Sequence, residues 1–282
     1  MRVKAADALY HIQPHTKAVM RALLVAMRDS AQEVRTSVAV ALGAIGASGI
    51  PALTDAIGDD HASVRAIALD MIGGQGRPAV SALPAITRAL KDSSTDVRAA
   101  AAFALDRLGT DVVGADRDAR AALVSATRDP VVPVRAAALR ALLSVASDSS
   151  LLWQVARRAL VDSAPAVRQS AVLMLLASRR SPSELVAVLS GMARDPNAGV
   201  RGTVYRIVGG LLSTSVSASA RQVLLDASRD PDPTARTAAA NALTSTSRAY
   251  PLSVPVTLRP ERPECRDARR RHVPVGWCSG RS

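Results

Sequence analysis

Aromatic side chains are nearly missing from this 282-residue chain: one Phe, two Trp and three Tyr make up 2% of it. β-Sandwiches and barrels take aromatic and β-branched residues into their strands, whereas the chain holds 54 Ala, the best helix former. That contrast excludes an all-β fold. Cysteine is also scarce, and both copies, Cys265 and Cys278, lie near the C-terminus. No disulfide framework therefore holds the body together, which fits a reducing compartment. Lysine is the third shortage, with Lys4, Lys17 and Lys91 set against 33 Arg. Phosphate-binding surfaces usually keep both cations, so part of the +12 net charge reads as codon bias in a GC-rich genome. The 39 residues from Thr244 onward carry +5 of it, leaving a mildly basic body and a basic tail.

Long hydrophobic runs are absent as well. Residues 1–15 contain no apolar core of signal-peptide length, and the charge-free run 36–54 is broken by Gly43, Gly46, Gly49 and Pro51. A helix–turn–helix step accounts for that run, and the expected protein is soluble, cytoplasmic and without a membrane partner. Catalytic signatures fail in turn. None of His11, His15, His61 and His272 is followed by Glu, and Pro14 interrupts the i,i+4 pair His11 and His15. Cys265, His272 and Cys278 match no familiar zinc spacing. No Ser-His-carboxylate set is visible, and GGQG at 73–76 lacks the Lys of a phosphate loop. The expectation is no metal, no cofactor and no catalytic residue.

What the chain has in abundance is a repeat. Val-Arg recurs at Val34-Arg35, Val64-Arg65, Val97-Arg98, Val134-Arg135, Val167-Arg168 and Val200-Arg201, with Ala235-Arg236 as a seventh copy. Five residues before each pair stands an aspartate: Asp29, Asp59, Asp92, Asp129, Asp162, Asp195 and Asp230. Eight residues after each stands an aliphatic side chain, from Leu42 to Leu243, and the steps are 30, 33, 37, 33, 33 and 35 residues. Met1-Arg2 falls in the same frame, 33 residues before Val34-Arg35. The chain thus opens halfway through a unit, and the gene is expected to begin upstream.

Within a unit, apolar residues at offsets 0, 4, 8 and 11 from the Val share one helical face. Offset 4 is Ala at positions 68, 101, 138, 171 and 239, small enough to let a neighbouring helix approach. Gly46, Gly73, Gly109 and Gly209 are expected to end these second helices. A first helix precedes each Asp, with Pro51, Pro84 and Pro182 in or near its opening turn. Lys91 or an Arg (Arg28, Arg128, Arg194, Arg229) often closes it. Each unit is helix, polar turn, helix.

This pattern, clearest in DSAQEVRTSVAVALGAIG and DSSTDVRAAAAFALDRLG, resembles the HEAT repeat, and most closely its phycobilisome-lyase type. The resemblance covers about residues 1–243 and implies an all-α, right-handed α-solenoid of stacked antiparallel helix pairs, about seven and a half repeats with the first truncated. It further implies a ladder along the stack that joins Asp29, Asp59, Asp92, Asp129, Asp162, Asp195 and Asp230 to Arg35, Arg65, Arg98, Arg135, Arg168, Arg201 and Arg236. Second helices line the concave surface of such solenoids.

Those fourteen residues are structural by the logic of stacking, because a site in a repeat array is built from what differs between units. Offset 6 of the second helix differs: Asp7, Val40, Asp70, Phe103, Arg140, Leu173, Arg206 and Asn241. Asp70, Phe103, Arg140 and Arg206, extended by Asp106 and Arg107, form the candidate patch for another protein, since Arg and aromatics anchor interfaces. Scaffold or regulatory module is the expected function. A bilin-lyase-like enzyme is the alternative, and a nucleic-acid backbone binder, with few aromatic side chains for bases to stack on, comes behind it. Residues 244–282 lose the motif, hold five Pro and the run Arg-Arg-Arg at 269–271, and read as a disordered tail or an out-of-frame translation.

Overall fold

The computed structural model describes residues 17–244 apart from Ser213 and Ser215. The half-repeat expected over 1–16, with Arg2, Asp7, His11 and His15, lies outside the described residues, as do the tail and its Cys265, His272 and Cys278. Seven helix pairs occupy the described part, and no strand occurs in it. The pairs are α1 Lys17–Ala26 with α2 Gln32–Ile45, and α3 Ile50–Ala56 with α4 Ala62–Gly73. Next come α5 Leu83–Ala89 with α6 Thr95–Leu108 and, after the one-turn α7 Thr110–Val113, α8 Arg117–Ala126 with α9 Val132–Val145. The last three are α10 Ser149–Ala159 with α11 Pro165–Ala177, α12 Pro182–Met192 with α13 Ala198–Gly210, and α14 Ser217–Ala227 with α15 Pro233–Thr244. The inserted α7 is where the 37-residue step finds room for its extra residues.

Each second helix packs on its own first helix and on the second helices before and after it, so α2, α4, α6, α9, α11, α13 and α15 form one continuous row. The periodic apolar residues are what they bury. Val64, Ala68, Ile72 and their counterparts Val97, Ala101, Leu105, Val167, Ala171 and Leu175 have no solvent exposure. The Ala at offset 4 is buried in every described unit that carries it, which lets neighbouring helices pack closely in a stack this poor in aromatics. One core runs the length of the array.

Helix starts follow the local chemistry. Ser181 and Glu184 form a reciprocal capping box on α12, with Pro182 in the first turn. Asp116, Asp148 and Asn197 accept N-terminal N–H bonds of α8, α10 and α13. Two of the four expected glycine stops are stops: Gly46 and Gly109 sit at φ 86° and 70°, beyond the reach of an ordinary side chain. Gly73 and Gly209 are not. They lie inside the last turns of α4 and α13, where the next second helix passes closest; an added Cβ would come 2.9 Å from Ala104 Cα and 2.7 Å from Ala242 Cβ respectively.

Candidate functional site

The turn aspartates lie two residues ahead of the helix N-caps Ala31, His61, Ser94, Val131, Ala164 and Asn197, and Asp230 lies three residues ahead of α15. Each accepts the backbone N–H two residues on, from Ala31, His61, Ser94, Val131, Ala164, Asn197 and Asp232, at 2.8 to 2.9 Å. This Asx turn holds the carboxylate in place for a cation from the preceding unit. Arg65 gives Nε and Nη2 to Asp92 at 2.8 and 2.7 Å, and Arg98 gives the same pair to Asp129 at 2.6 and 3.1 Å. Arg135 binds Asp162 at 2.7 and 2.8 Å, Arg168 binds Asp195 at 2.7 Å twice, and Arg201 binds Asp230 at 2.7 and 2.6 Å. The third nitrogen, Nη1, donates to carbonyls of the arginine's own turn, for example Asp129 at 2.9 Å from Arg135. Every such guanidinium therefore ties two units with its planar fork.

The electrostatics follow from that geometry. Burial would raise the carboxyls of Asp92, Asp129, Asp162 and Asp195, but the Arg hydrogen bond, the Asx N–H and neighbouring guanidiniums together hold each below the usual range. Asp230 is depressed further, first by the Arg201 hydrogen bond and also by Tyr205. The Tyr205 hydroxyl, buried and donating to Asp230 at 2.8 Å, is pushed up to about 12. The first described rung is looser. Arg35 Nε approaches Asp59 to 3.1 Å but is misaligned, so neither Nε nor Nη2 makes a hydrogen bond although both are buried.

The candidate patch is partly assembled. Asp70 of α4 and Arg107 of α6 form an ion pair at 3.1 Å, and the Arg107 guanidinium lies 5.8 Å from the centre of the Phe103 ring. Asp106 accepts from the hydroxyl of Ser144 on α9, at 2.5 Å. Arg140, also on α9 and one turn before Ser144, is half-buried and pairs with no acid among the described residues. Three consecutive second helices thus carry Asp70, Phe103, Asp106, Arg107 and Arg140. Arg206 is not brought into this group. It stands on α13, beyond the intervening α11, exposed and donating to Thr203 at 3.0 Å.

Ser144 and Tyr205 were not singled out from the sequence. Ser144 occupies the offset that Arg107 occupies one unit earlier, so comparing that column as well as offset 6 would have found it. Trp153 of α10 is another departure from the repeat, with the guanidiniums of Arg157 and Arg180 at 5.8 and 5.4 Å from its ring. Among the described residues no cluster of three or more His, Cys, Asp or Glu could hold a metal, and no helix is long and apolar enough to cross a membrane.

The family model for HEAT repeats matches residues 50–143 and 151–244. No curated protein matches the chain. Among solved structures, the chain is similar to E. coli YIBA at 17% identity, over 85% of this chain and 95% of that one, with a TM-score of 0.53. It is also similar to the complex of CpcE and CpcF of phycocyanin lyase from Nostoc sp. at 17% identity, over 79% and 92%, with a TM-score of 0.47. At these identities the likeness is one of fold.

Proposed function

The chain belongs to the HEAT-repeat family, and from that premise we propose that it is a non-catalytic scaffold that holds another protein on the face of its second helices. The observation that supports this reading is a division of labour. Positions that repeat are spent on rungs and core; of those that vary, Arg206 stands apart on α13, and five charged and aromatic ones stand together on α4, α6 and α9. There Asp70 and Arg107 set each other's geometry, Phe103 offers a ring against the Arg107 guanidinium, and Asp106 is steadied by Ser144. Arg140 has no acid beside it among the described residues and is left to meet a partner. A patch of mixed charge around one aromatic suits an acidic and apolar protein surface, because Arg and aromatic anchors carry most interface energy. Arg206 extends the same face only if the partner reaches across α11. The expected setting is the cytoplasm.

Affinity purification from nuclease-treated source cells tests this, with the full chain and its Arg140→Glu variant as baits. One protein held by the parent and lost by the variant supports the scaffold and locates its surface. If nucleic acid alone is recovered when nuclease is omitted, with an affinity that falls steeply with salt, the protein is a phosphate-backbone binder instead. A bound tetrapyrrole would turn the assignment to a lyase-type protein.

A further inference from the structure

Trp153 stands on a first helix, α10, outside the row of second helices. The guanidiniums of Arg157 and Arg180 lie 5.8 and 5.4 Å from the centre of its ring. Arg157 follows Trp153 by four residues on α10, so helical geometry brings both to one face. Arg180 arrives from the next unit, one residue ahead of Ser181, the N-cap of α12. Both units thus contribute to one cluster. The α10 unit also departs from the repeat here. Five residues before the turn aspartate, where it carries Arg157, the other units carry Leu24, Thr54, Thr87, Val124, Ser190 and Leu225. One residue before that aspartate, where five units place Arg or Lys, it carries Val161, which is 84% exposed. Positions that depart from the repeat are those an array can spend on a site.

The positive charge of this cluster is not answered within the described residues. Arg157, Arg158 and Arg179 are exposed and pair with no acid there. Arg180 Nη1 comes only to 4.0 Å from Glu184 Oε1, and Arg180 Nε is buried without a hydrogen-bond partner. Glu184 is already engaged, since its Oε2 accepts the backbone N–H and the hydroxyl of Ser181 at 3.1 and 2.8 Å. The N-terminal end of α12 adds its own partial positive charge. A carboxylate seated here would meet guanidinium edges that the protein leaves open, and charge-assisted bonds of that kind are the strong ones.

Charge complementarity selects the occupant. The residues from Thr244 onward carry +5 and the whole chain +12, so neither that segment nor a second copy is a good match. Nucleic-acid bases need an open ring to stack on, and here two guanidiniums lie against the one ring. We propose that Trp153, Arg157 and Arg180, with Arg158, Arg179 and Val161 at the margin, form a docking site for an acidic peptide segment of another protein. Its carboxylates meet the guanidiniums and an apolar side chain meets Val161. The site is separate from the second-helix patch and does not depend on it.

The test uses the full chain with Trp277→Phe, which leaves Trp153 as its one tryptophan. The probe is a short labelled peptide of Glu residues around a central Leu, followed by anisotropy and by Trp153 emission. Saturable binding that changes Trp153 emission is expected, weakening as salt rises. Arg157→Glu and Arg180→Ala should each weaken it by about tenfold or more, because each removes a hydrogen bond between charged groups. Glu184→Gln, which keeps the capping box, should tighten it, and a peptide with Lys in place of Glu should not bind. The unfolding midpoint of Arg157→Glu should stay within about 1 °C of the parent, as the side chain is exposed, and Arg157→Gln repeats the test with a smaller change. No binding, or binding indifferent to the arginine variants, would overturn the proposal. Binding lost with Arg140→Glu but kept with Arg157→Glu would move the peptide to the second-helix patch. An oligothymidylate of equal charge that binds more tightly than the peptide would make this a phosphate-backbone site instead.

Discussion

Arg201 gives both Nε and Nη2 to the carboxylate of Asp230, and Tyr205 donates to the same carboxylate at 2.8 Å. The Asp230 side chain is 2% exposed, so removing its cation would strand a buried charge rather than release it to water. Arg201→Ala is therefore expected to cost about 3 kcal/mol or more of stability. Arg35→Ala should cost distinctly less, because the Arg35 rung with Asp59 makes no aligned side-chain bond. Denaturant titration followed by amide hydrogen exchange in α13 and α2 checks the order. Equal losses would mean that the rungs do not act as local ties.

The same rungs divide stability from binding. Arg98→Ala or Arg135→Ala should lower the unfolding midpoint while leaving partner affinity close to that of the parent. Arg140→Glu should leave the midpoint nearly unchanged and abolish recovery of the partner. A partner lost equally from all three would erase the distinction between ladder and patch.

Acid should loosen the array. The carboxyls of Asp92, Asp129, Asp162, Asp195 and Asp230 are all held below their usual range in the folded chain. A depressed folded pKa contributes stability that is present above the unfolded value of about 4 and is lost as pH falls through the folded value. Urea midpoints measured downward from about pH 5 should therefore fall steeply below about pH 4. Asp195→Asn should start lower and fall less. At the alkaline end the sign reverses for Tyr205: raised to about 12, it contributes stability that is lost as pH climbs above its ordinary value of 10.0.

Helical glycines should split into two classes. Gly191→Ala in α12 meets no atom within 4 Å and should stabilise by up to about 1 kcal/mol through helix propensity. Gly73→Ala should destabilise despite the same propensity gain, since its Cβ would press on the Ala104 backbone at 2.9 Å. Thermal melts of the two variants should move in opposite directions.

Arg179 follows the C-terminal end of α11 at φ 51°, a conformation that costs a non-glycine residue about 1–2 kcal/mol. Arg179→Gly should relieve part of that strain and raise the unfolding midpoint, whereas Arg179→Val should lower it. A neutral result for both would mean that the turn relaxes at no cost.

The repeat was legible from residues alone because a solenoid makes the same local demand in every unit. Each second helix needs the same buried offsets and each turn the same carboxylate, so periodicity in the chain is periodicity in space. That is why the Asp and Arg columns, the small residue at offset 4 and the helix–turn–helix unit could be read without coordinates. The candidate patch was legible only in part. Phe103 and Arg107, four residues apart on α6, are neighbours by helical geometry, whereas Asp106 with Ser144 and Asp70 with Arg107 meet across helices.

Composition and spacing, then, were enough to set the all-α class, the unit length and the recurring Asp and Arg columns, because those depend on propensity and on contacts that recur; that the two columns join in a ladder was implied only by the resemblance to HEAT repeats. The direction of each rung, forward to the next unit's carboxylate and back to its own turn's carbonyls, came from packing. So did the use of Gly73 and Gly209 as points of closest approach instead of helix stops. Such contacts depend on the distance between helices of neighbouring units, joining residues that the chain separates by 24 to 33 positions, and no local pattern carries that distance.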